Sequence, residues 1–242
     1  MLHSTWTPTA VSSEAFEWRG QVWRIVESQY VAATMKLVDT IEEQDLLETL
    51  LESSKPTLPD DVQSLDYLLA TPFRYHPKRG GSRFRGVADP GVFYGAQTVQ
   101  TAGAELSYWR WKFLMEAVDL DRLDPVAHTA FTVDIDTTVV DLRLPPFDAQ
   151  AAQWQNPTNY SDTQQLARVV RDANVGGILY RSVRDPGASW CLALLTPAGF
   201  AKRKPNSTRQ TWYLAVSRTE VIMRRDGAAN EAMCFAVDRW CA

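Results

Sequence analysis

Apolar residues recur three or four positions apart in the first part of the chain and two apart in the last part. Val26, Tyr30, Ala33, Leu37 and Ile41, then Leu46, Leu47, Leu50 and Leu51, predict helix over residues 23–53, with Glu42, Glu43, Asp45, Glu48 and Glu52 as its solvated face. Lys55-Pro56 and Leu58-Pro59 interrupt it. Asp60 or Asp61 then caps a short helix carrying Val62, Leu65, Leu68 and Leu69, which Pro72 stops. Residues 91–96 read as a strand. Residues 98–117 read as a helix capped by Thr98, its core stripe Ala102, Leu106, Trp109 and Phe113, with Glu105 at the edge of that stripe.

Beyond Pro125 the period changes to two. Residues 131–144 alternate through Phe131, Val133, Ile135, Val139 or Val140 and Leu142, with a turn at Asp136-Thr137, and residues 178–183, 190–195 and 212–223 are further strands. Between them residues 160–174 form a helix with Leu166, Val169 and Val170 on one face, ended by Gly176-Gly177. Helices early and strands late, with few βαβ alternations, predict an α+β fold with a mixed or antiparallel sheet core. The expected division is a helical N-terminal extension over residues 1–70 and one compact unit over residues 71–242.

A chain with nine Trp, eight Tyr and nine Phe is too rich in aromatics for wholesale disorder. Its first residues lack a cationic start followed by an apolar run, and no apolar stretch reaches membrane-spanning length, which predicts a soluble cytoplasmic protein without membrane contact. Cys191, Cys234 and Cys241 match no metal spacing, and Cys191 sits in an apolar run as a buried residue would. His3, His76 and His128 are too scattered for a His-based centre, so no metal is expected.

Charge narrows the chemistry. Between residues 71 and 86 stand Arg74, Lys78, Arg79, Arg83, Arg85 and His76 with no acid, inside a chain of net charge −4. A local positive field in an acidic protein suits one small anion better than a nucleic acid, which calls for a broad basic face. The other reading is a solvated loop paired with the acidic segment before it.

Within this stretch Arg83 is the candidate anion fork, flanked by glycines that let backbone approach a ligand; Phe84 would point the other way, into the core. Tyr94 ends a strand, where its ring either stacks on a planar heterocycle or simply packs. Glu105 either binds ribose hydroxyls and stabilises an oxocarbenium-like sugar or is an ordinary helix glutamate. Ser182, in Tyr180-Arg181-Ser182-Val183-Arg184, either bonds an amide or phosphate or caps its own backbone. No Ser-His-Asp set accompanies it, so a nucleophilic serine is disfavoured.

Arg83 in Gly-Ser-Arg-Phe, Tyr94 in Gly-Val-Phe-Tyr, Glu105 in Thr-Ala-Gly-Ala-Glu and Ser182 in Tyr-Arg-Ser-Val-Arg together resemble the RES domain family, the toxins of RES-Xre toxin–antitoxin modules, over roughly residues 74–195. The resemblance implies a fold similar to ADP-ribosyltransferase toxins and NAD as substrate. The activity it implies is cleavage of the nicotinamide–ribose bond by phosphorolysis or hydrolysis, or transfer of ADP-ribose to a protein. It also implies a cognate Xre-type antitoxin. In that frame Arg83, helped by Arg85, grips the pyrophosphate, Tyr94 offers an aromatic surface, Glu105 meets the developing positive charge, and Ser182 holds nicotinamide or phosphate. Many members carry Asn where this chain has Arg85, which leaves the acceptor open, inorganic phosphate included. The competing readings are a mono-ADP-ribosyltransferase acting on a protein and a non-enzymatic interaction protein. Trp109, Trp111 and the amphipathic helices offer apolar surface for a homodimer or an antitoxin contact; for Trp111, which lies off the core stripe, the other reading is ordinary burial against the N-terminal helices.

Overall fold

The computed structural model describes residues 6–28, 38–75, 80–187, 189–228 and 230–240. A short helix α1 (Pro8–Ser13), capped by Thr7, leads into strand β1 (Phe16–Glu27). The residues expected to open a long helix at Trp23 are therefore strand as far as Glu27. Phe16, Trp18, Val22, Trp23, Ile25 and Val26 favour a pleated surface, and β1 pairs antiparallel with β3 (Arg122–Asp141) along its whole length, from Phe16 opposite Val139 to Glu27 opposite His128. Tyr30, Ala33 and Leu37 of the expected stripe lie outside the described residues. Helix resumes at α2 (Ile41–Ser53), where Thr40 and Glu43 form a capping box. None of its residues is buried, and Leu46, Leu50 and Leu51 are exposed.

The next helix, α3 (Tyr67–Arg74), is capped by Asp66; Asp60 and Asp61 lie instead in a single 3-10 turn, Asp60–Val62. Pro72 sits inside α3 rather than stopping it. Pro72 lacks the N–H that would donate to the Leu68 carbonyl, so α3 forgoes that one bond and continues to Arg74.

Eight strands form one sheet in the order β1, β2 (Phe93–Ala96), β5 (Trp190–Leu194), β4 (Gly177–Arg181), β3, β6 (Arg209–Ser217), β7 (Glu220–Arg225), β8 (Ala232–Ala236). One edge of the long β3 carries β1. Its other edge carries β6 along the first half and, in parallel, β4 at residues Val139 to Asp141. Because β1 also meets β2, the strands β1, β2, β5, β4 and β3 close on themselves. The fold is α+β with a mixed sheet. The turn expected at Asp136-Thr137 is absent, since those residues pair with Arg19 and Trp18 in an unbroken ladder. Pro125 is accommodated where the β3–β6 register shifts between Leu123 and Val126. Residues 212–223 are two strands of a hairpin, not one.

Helix α4 (Val99–Glu116) starts at Thr98, whose hydroxyl accepts from the Thr101 N–H at 3.1 Å. Its buried face runs through Thr101, Ala104, Tyr108, Trp111 and Leu114, whereas Trp109 and Phe113 of the expected stripe are exposed. Apolar residues occupy most of the circumference of α4, so two overlapping stripes were available. Close packing selects the one that brings Gly103 against Met223, Met233 and Phe235. A four-residue helix α5 (Ala151–Trp154) precedes α6 (Ser161–Asp172). The latter ends at Asn174 with φ of 54°, a left-handed cap, ahead of the glycine pair expected to end it. Gly176 has another duty, because a Cβ there would stand 2.0 Å from the Thr137 hydroxyl on β3.

One core cluster lies on the α3 side and includes Phe73, Phe93, Phe131, Ile135, Leu179 and Leu192. The other lies under α4 and α6 and includes Trp111, Leu114, Leu166, Val170, Ile178 and Trp212. Replacing Thr98→Ala removes the cap of α4 and should lower the unfolding free energy by about 1 kcal/mol, read from the urea midpoint; Thr98→Ser should restore it.

Candidate active site

Local geometry first fixes the basic loop. Ser82 and Arg85 form a tight turn, with the Ser82 N–H donating to the Arg85 carbonyl at 2.7 Å and the Arg85 N–H returning a bond at 3.1 Å. Gly81 makes this possible: its φ is 73°, and a Cβ would fall 2.1 Å from the Arg85 oxygen. At the tip of the turn Phe84 is fully buried, its ring edge-on to Tyr180 at 4.8 Å, as expected for the anchor of the loop. Helix α6 clamps the turn from outside. Thr163 donates to the Arg83 carbonyl and Gln164 to the Ser82 and Arg85 carbonyls, while Arg168 pairs with Asp89 and Arg171 reaches the Pro90 and Gly91 carbonyls. Of the other cations in this segment, Arg74 pairs with Glu52 at 2.8 Å, in keeping with the solvated alternative. His76, Lys78 and Arg79 lie outside the described residues.

Arg83, Tyr94 and Glu105 line one cavity of about 210 Å³, with walls that also include Trp23, Arg24, Leu106, Trp109, Tyr160, Tyr180 and Cys191. Arg83 is buried. Its Nη1 donates to the Trp154 and Asn156 carbonyls, both at 2.9 Å, and its guanidinium lies over the Tyr160 ring at 4.7 Å. No carboxylate of the described residues pairs with it, and its remaining N–H groups are uncommitted to protein acceptors there.

The hydroxyl of Tyr94 is 2.8 Å from the Ser82 hydroxyl and accepts the Phe84 N–H at 3.0 Å. That oxygen is thus a strut between β2 and the turn. Burial pushes its pKa up, against the pull of the Ser82 and Phe84 bonds.

Glu105 is half-buried and takes a 2.6 Å hydrogen bond on Oε1 from the Ser182 hydroxyl. The same serine oxygen accepts the Arg184 and Asp185 N–H groups at 3.3 and 3.1 Å. Ser182 therefore closes its own turn, as one of its two readings had it, and in addition presents its proton to a carboxylate that neither reading named. Removal from water raises the Glu105 pKa, opposed by the Ser182 bond and the Arg83 and Arg184 charges. Ala102 and Leu106 of the expected stripe do pack in or against the core, and with the exposed Trp109 they also form the wall on either side of Glu105.

Arg85 departs from expectation. It does not line the cavity; its Nε donates to the Asp89 carbonyl at 3.2 Å and its Nη1 reaches the Pro72 carbonyl at 3.5 Å. The turn sends the side chains of Arg83 and Arg85 to different neighbours, and Arg85 braces the loop.

Sequence reasoning missed Arg24. It lines the cavity from β1, donates to the Tyr94 carbonyl at 2.8 Å and lies over the Phe93 ring at 4.7 Å; its Nε is buried without a partner. Burial lowers its pKa to about 10, so it stays charged at neutral pH. An arginine inside the apolar run Val22-Trp23-Arg24-Ile25-Val26 was the available signal, because an inward cation on a strand is costly without a use. Tyr160 was missed too. It is held by Arg184, whose Nη2 donates to the Tyr160 hydroxyl at 3.2 Å and to the Pro157 carbonyl while its guanidinium lies over the Tyr108 ring.

Among the described residues no cluster of three or more His, Cys, Asp or Glu is placed to hold a metal, and no helix is long and apolar enough to cross a membrane. The RES domain model matches residues 58–217, and the chain belongs to the RES domain family. No curated protein matches it. Among solved structures it is similar to a chain in the crystal structure of the M. tuberculosis MbcT-MbcA toxin-antitoxin complex, with a TM-score of 0.46 over 94% of this chain and 90% of that one, at 11% sequence identity.

The raised Glu105 pKa has a stability consequence with a definite sign. A carboxyl that ionises at higher pH when folded than its ordinary 4.5 contributes stability that is complete below that value and lost as pH rises through the folded one. Glu105→Gln keeps the acceptor for Ser182 but cannot ionise. Its melting temperature should match that of the parent in acid and exceed it increasingly as pH climbs to neutrality, as a calorimetric pH series would read.

Proposed function

We propose that this protein is the toxin of a RES-Xre toxin–antitoxin module and that it cleaves the nicotinamide–ribose bond of NAD in the cavity described above. The observation that carries the reading is the convergence of Arg83, Tyr94 and Glu105 from a turn, a strand and a helix on one cavity, with Ser182 bonded to Glu105. Membership of the RES domain family supports the same reading.

Bond cleavage places positive charge on C1 of the ribose as the C–N electron pair leaves with nicotinamide. A carboxylate in a wall largely withdrawn from water stabilises that charge more than it would in solution, and more in the transition state than in bound NAD. Glu105 fills this role, and the Ser182 hydrogen bond favours its ionised form against the cost of burial and aims it. Arg83, with Nη1 committed to two carbonyls, offers its other N–H groups to the pyrophosphate in a fixed plane against Tyr160. Arg24 supplies a second cation without a carboxylate partner among the described residues, suited to a phosphate oxygen of NAD or to inorganic phosphate as nucleophile. Attack by phosphate leaves ADP-ribose phosphorylated at that carbon; attack by water leaves ADP-ribose and releases a proton. An Xre-type antitoxin is the partner that blocks the site.

Purified protein should consume NAD. Glu105→Gln should lower kcat by about 10²- to 10³-fold, the usual cost of removing one electrostatic contact to a transition state, and Arg83→Ala should act chiefly on KM. Chromatography of NAD labelled in the adenylate half, with and without phosphate, distinguishes the products. Free ADP-ribose or its phosphate supports the proposal, label on protein points to ADP-ribosyl transfer, and NAD left intact by the antitoxin-free parent sinks it.

A further inference from the structure

The cavity is too small for the whole of the proposed substrate. At about 210 Å³ it falls below the ~300–1,000 Å³ of sites that enclose a drug-sized ligand, and NAD carries two nucleotides. Glu105 fixes which one enters, since the scissile ribose must reach its carboxylate. The adenylate half is left at the opening.

There the wall carries an aromatic surface. Trp109 stands one turn beyond Glu105 on α4, about 6 Å along the helix axis, and remains 43% exposed while lining the same cavity. Its indole is braced by the Tyr108 ring, edge-on at 5.3 Å, and by the Lys112 ammonium, which lies over one face 5.5 Å from its centroid and leaves the other face open to a base. Trp23 of β1 lines the cavity as well. A braced, half-exposed indole is a flat apolar face with little conformational entropy left to lose when a planar base settles on it.

We infer that Trp109 is the stacking platform for the adenine base, a subsite at the cavity mouth separate from the reacting groups. The inference rests on the NAD reading above but concerns binding, so binding tests it. In a Glu105→Gln background, expected to turn NAD over about 10²- to 10³-fold more slowly, calorimetric titration with NAD, AMP and nicotinamide mononucleotide compares the whole substrate with its two halves. Trp109→Ala should weaken NAD and AMP by about five- to 150-fold, the range for losing one base–aromatic stack, and leave nicotinamide mononucleotide unchanged; Trp109→Phe should recover most of the loss. Equal weakening of all three ligands, undiminished NAD affinity, or no binding of NAD and AMP to the unsubstituted Trp109 protein overturns the subsite. If NAD binds with this Trp109 dependence but the parent leaves it uncleaved, the subsite stands and the proposed reaction falls.

Discussion

The hydrogen bond from Ser182 to Glu105 joins the two halves of the site. It links a helix that begins just after β2 to the end of β4, residues 77 positions apart, across 2.6 Å. A carboxylate in this wall is unfavourable by itself, as its raised pKa records. The serine hydroxyl and the nearby guanidiniums of Arg83 and Arg184 keep it ionisable. Ser182 in turn is held by the two N–H groups of the turn that follows it. The carboxylate is therefore positioned by backbone rather than by a free side chain.

The closed arrangement of β1, β2, β5, β4 and β3 makes that contact possible. Closure brings Arg24 on β1, Tyr94 on β2, Tyr180 on β4 and Cys191 on β5 to one cavity. Helix α6 performs the corresponding task for the glycine turn by holding its carbonyls from outside. Burial of Phe84 and the Tyr94 strut complete the fastening, so Arg83 projects from a fixed turn despite the glycines before it. Cationic side chains without carboxylate partners are stored electrostatic strain, retained where an anionic ligand relieves it.

Much of this was legible along the chain. The Thr98 cap, the α4 helix, the burial of Phe84 and Cys191 and the α+β class follow from period, capping and composition. These are short-range effects. Arg83, Tyr94, Glu105 and Ser182, each ordinary taken singly, could be singled out because their order and flanking residues together resemble the RES domain family. The reading failed where a segment's partner lay far away. Trp23 to Glu27 has a helix-compatible spacing but becomes strand by pairing with β3 a hundred residues later. Trp109 and Phe113 fit a core stripe as well as Tyr108 and Trp111 do, and only packing of the helix against the sheet chose between them.

The sequence by itself determined how each local segment prefers to fold and which polar residues stand in glycine-rich or strand-end settings, since propensities, caps and glycine turns act over a few residues. Tertiary structure alone decided that Arg83 faces the cavity while Arg85 braces its own loop, that Arg24 and Tyr160 join the site, and that the Trp109 end of an expected core stripe is exposed wall. Those outcomes depend on which distant surfaces come into contact and what water they exclude, and neither is encoded in the spacing of neighbouring residues.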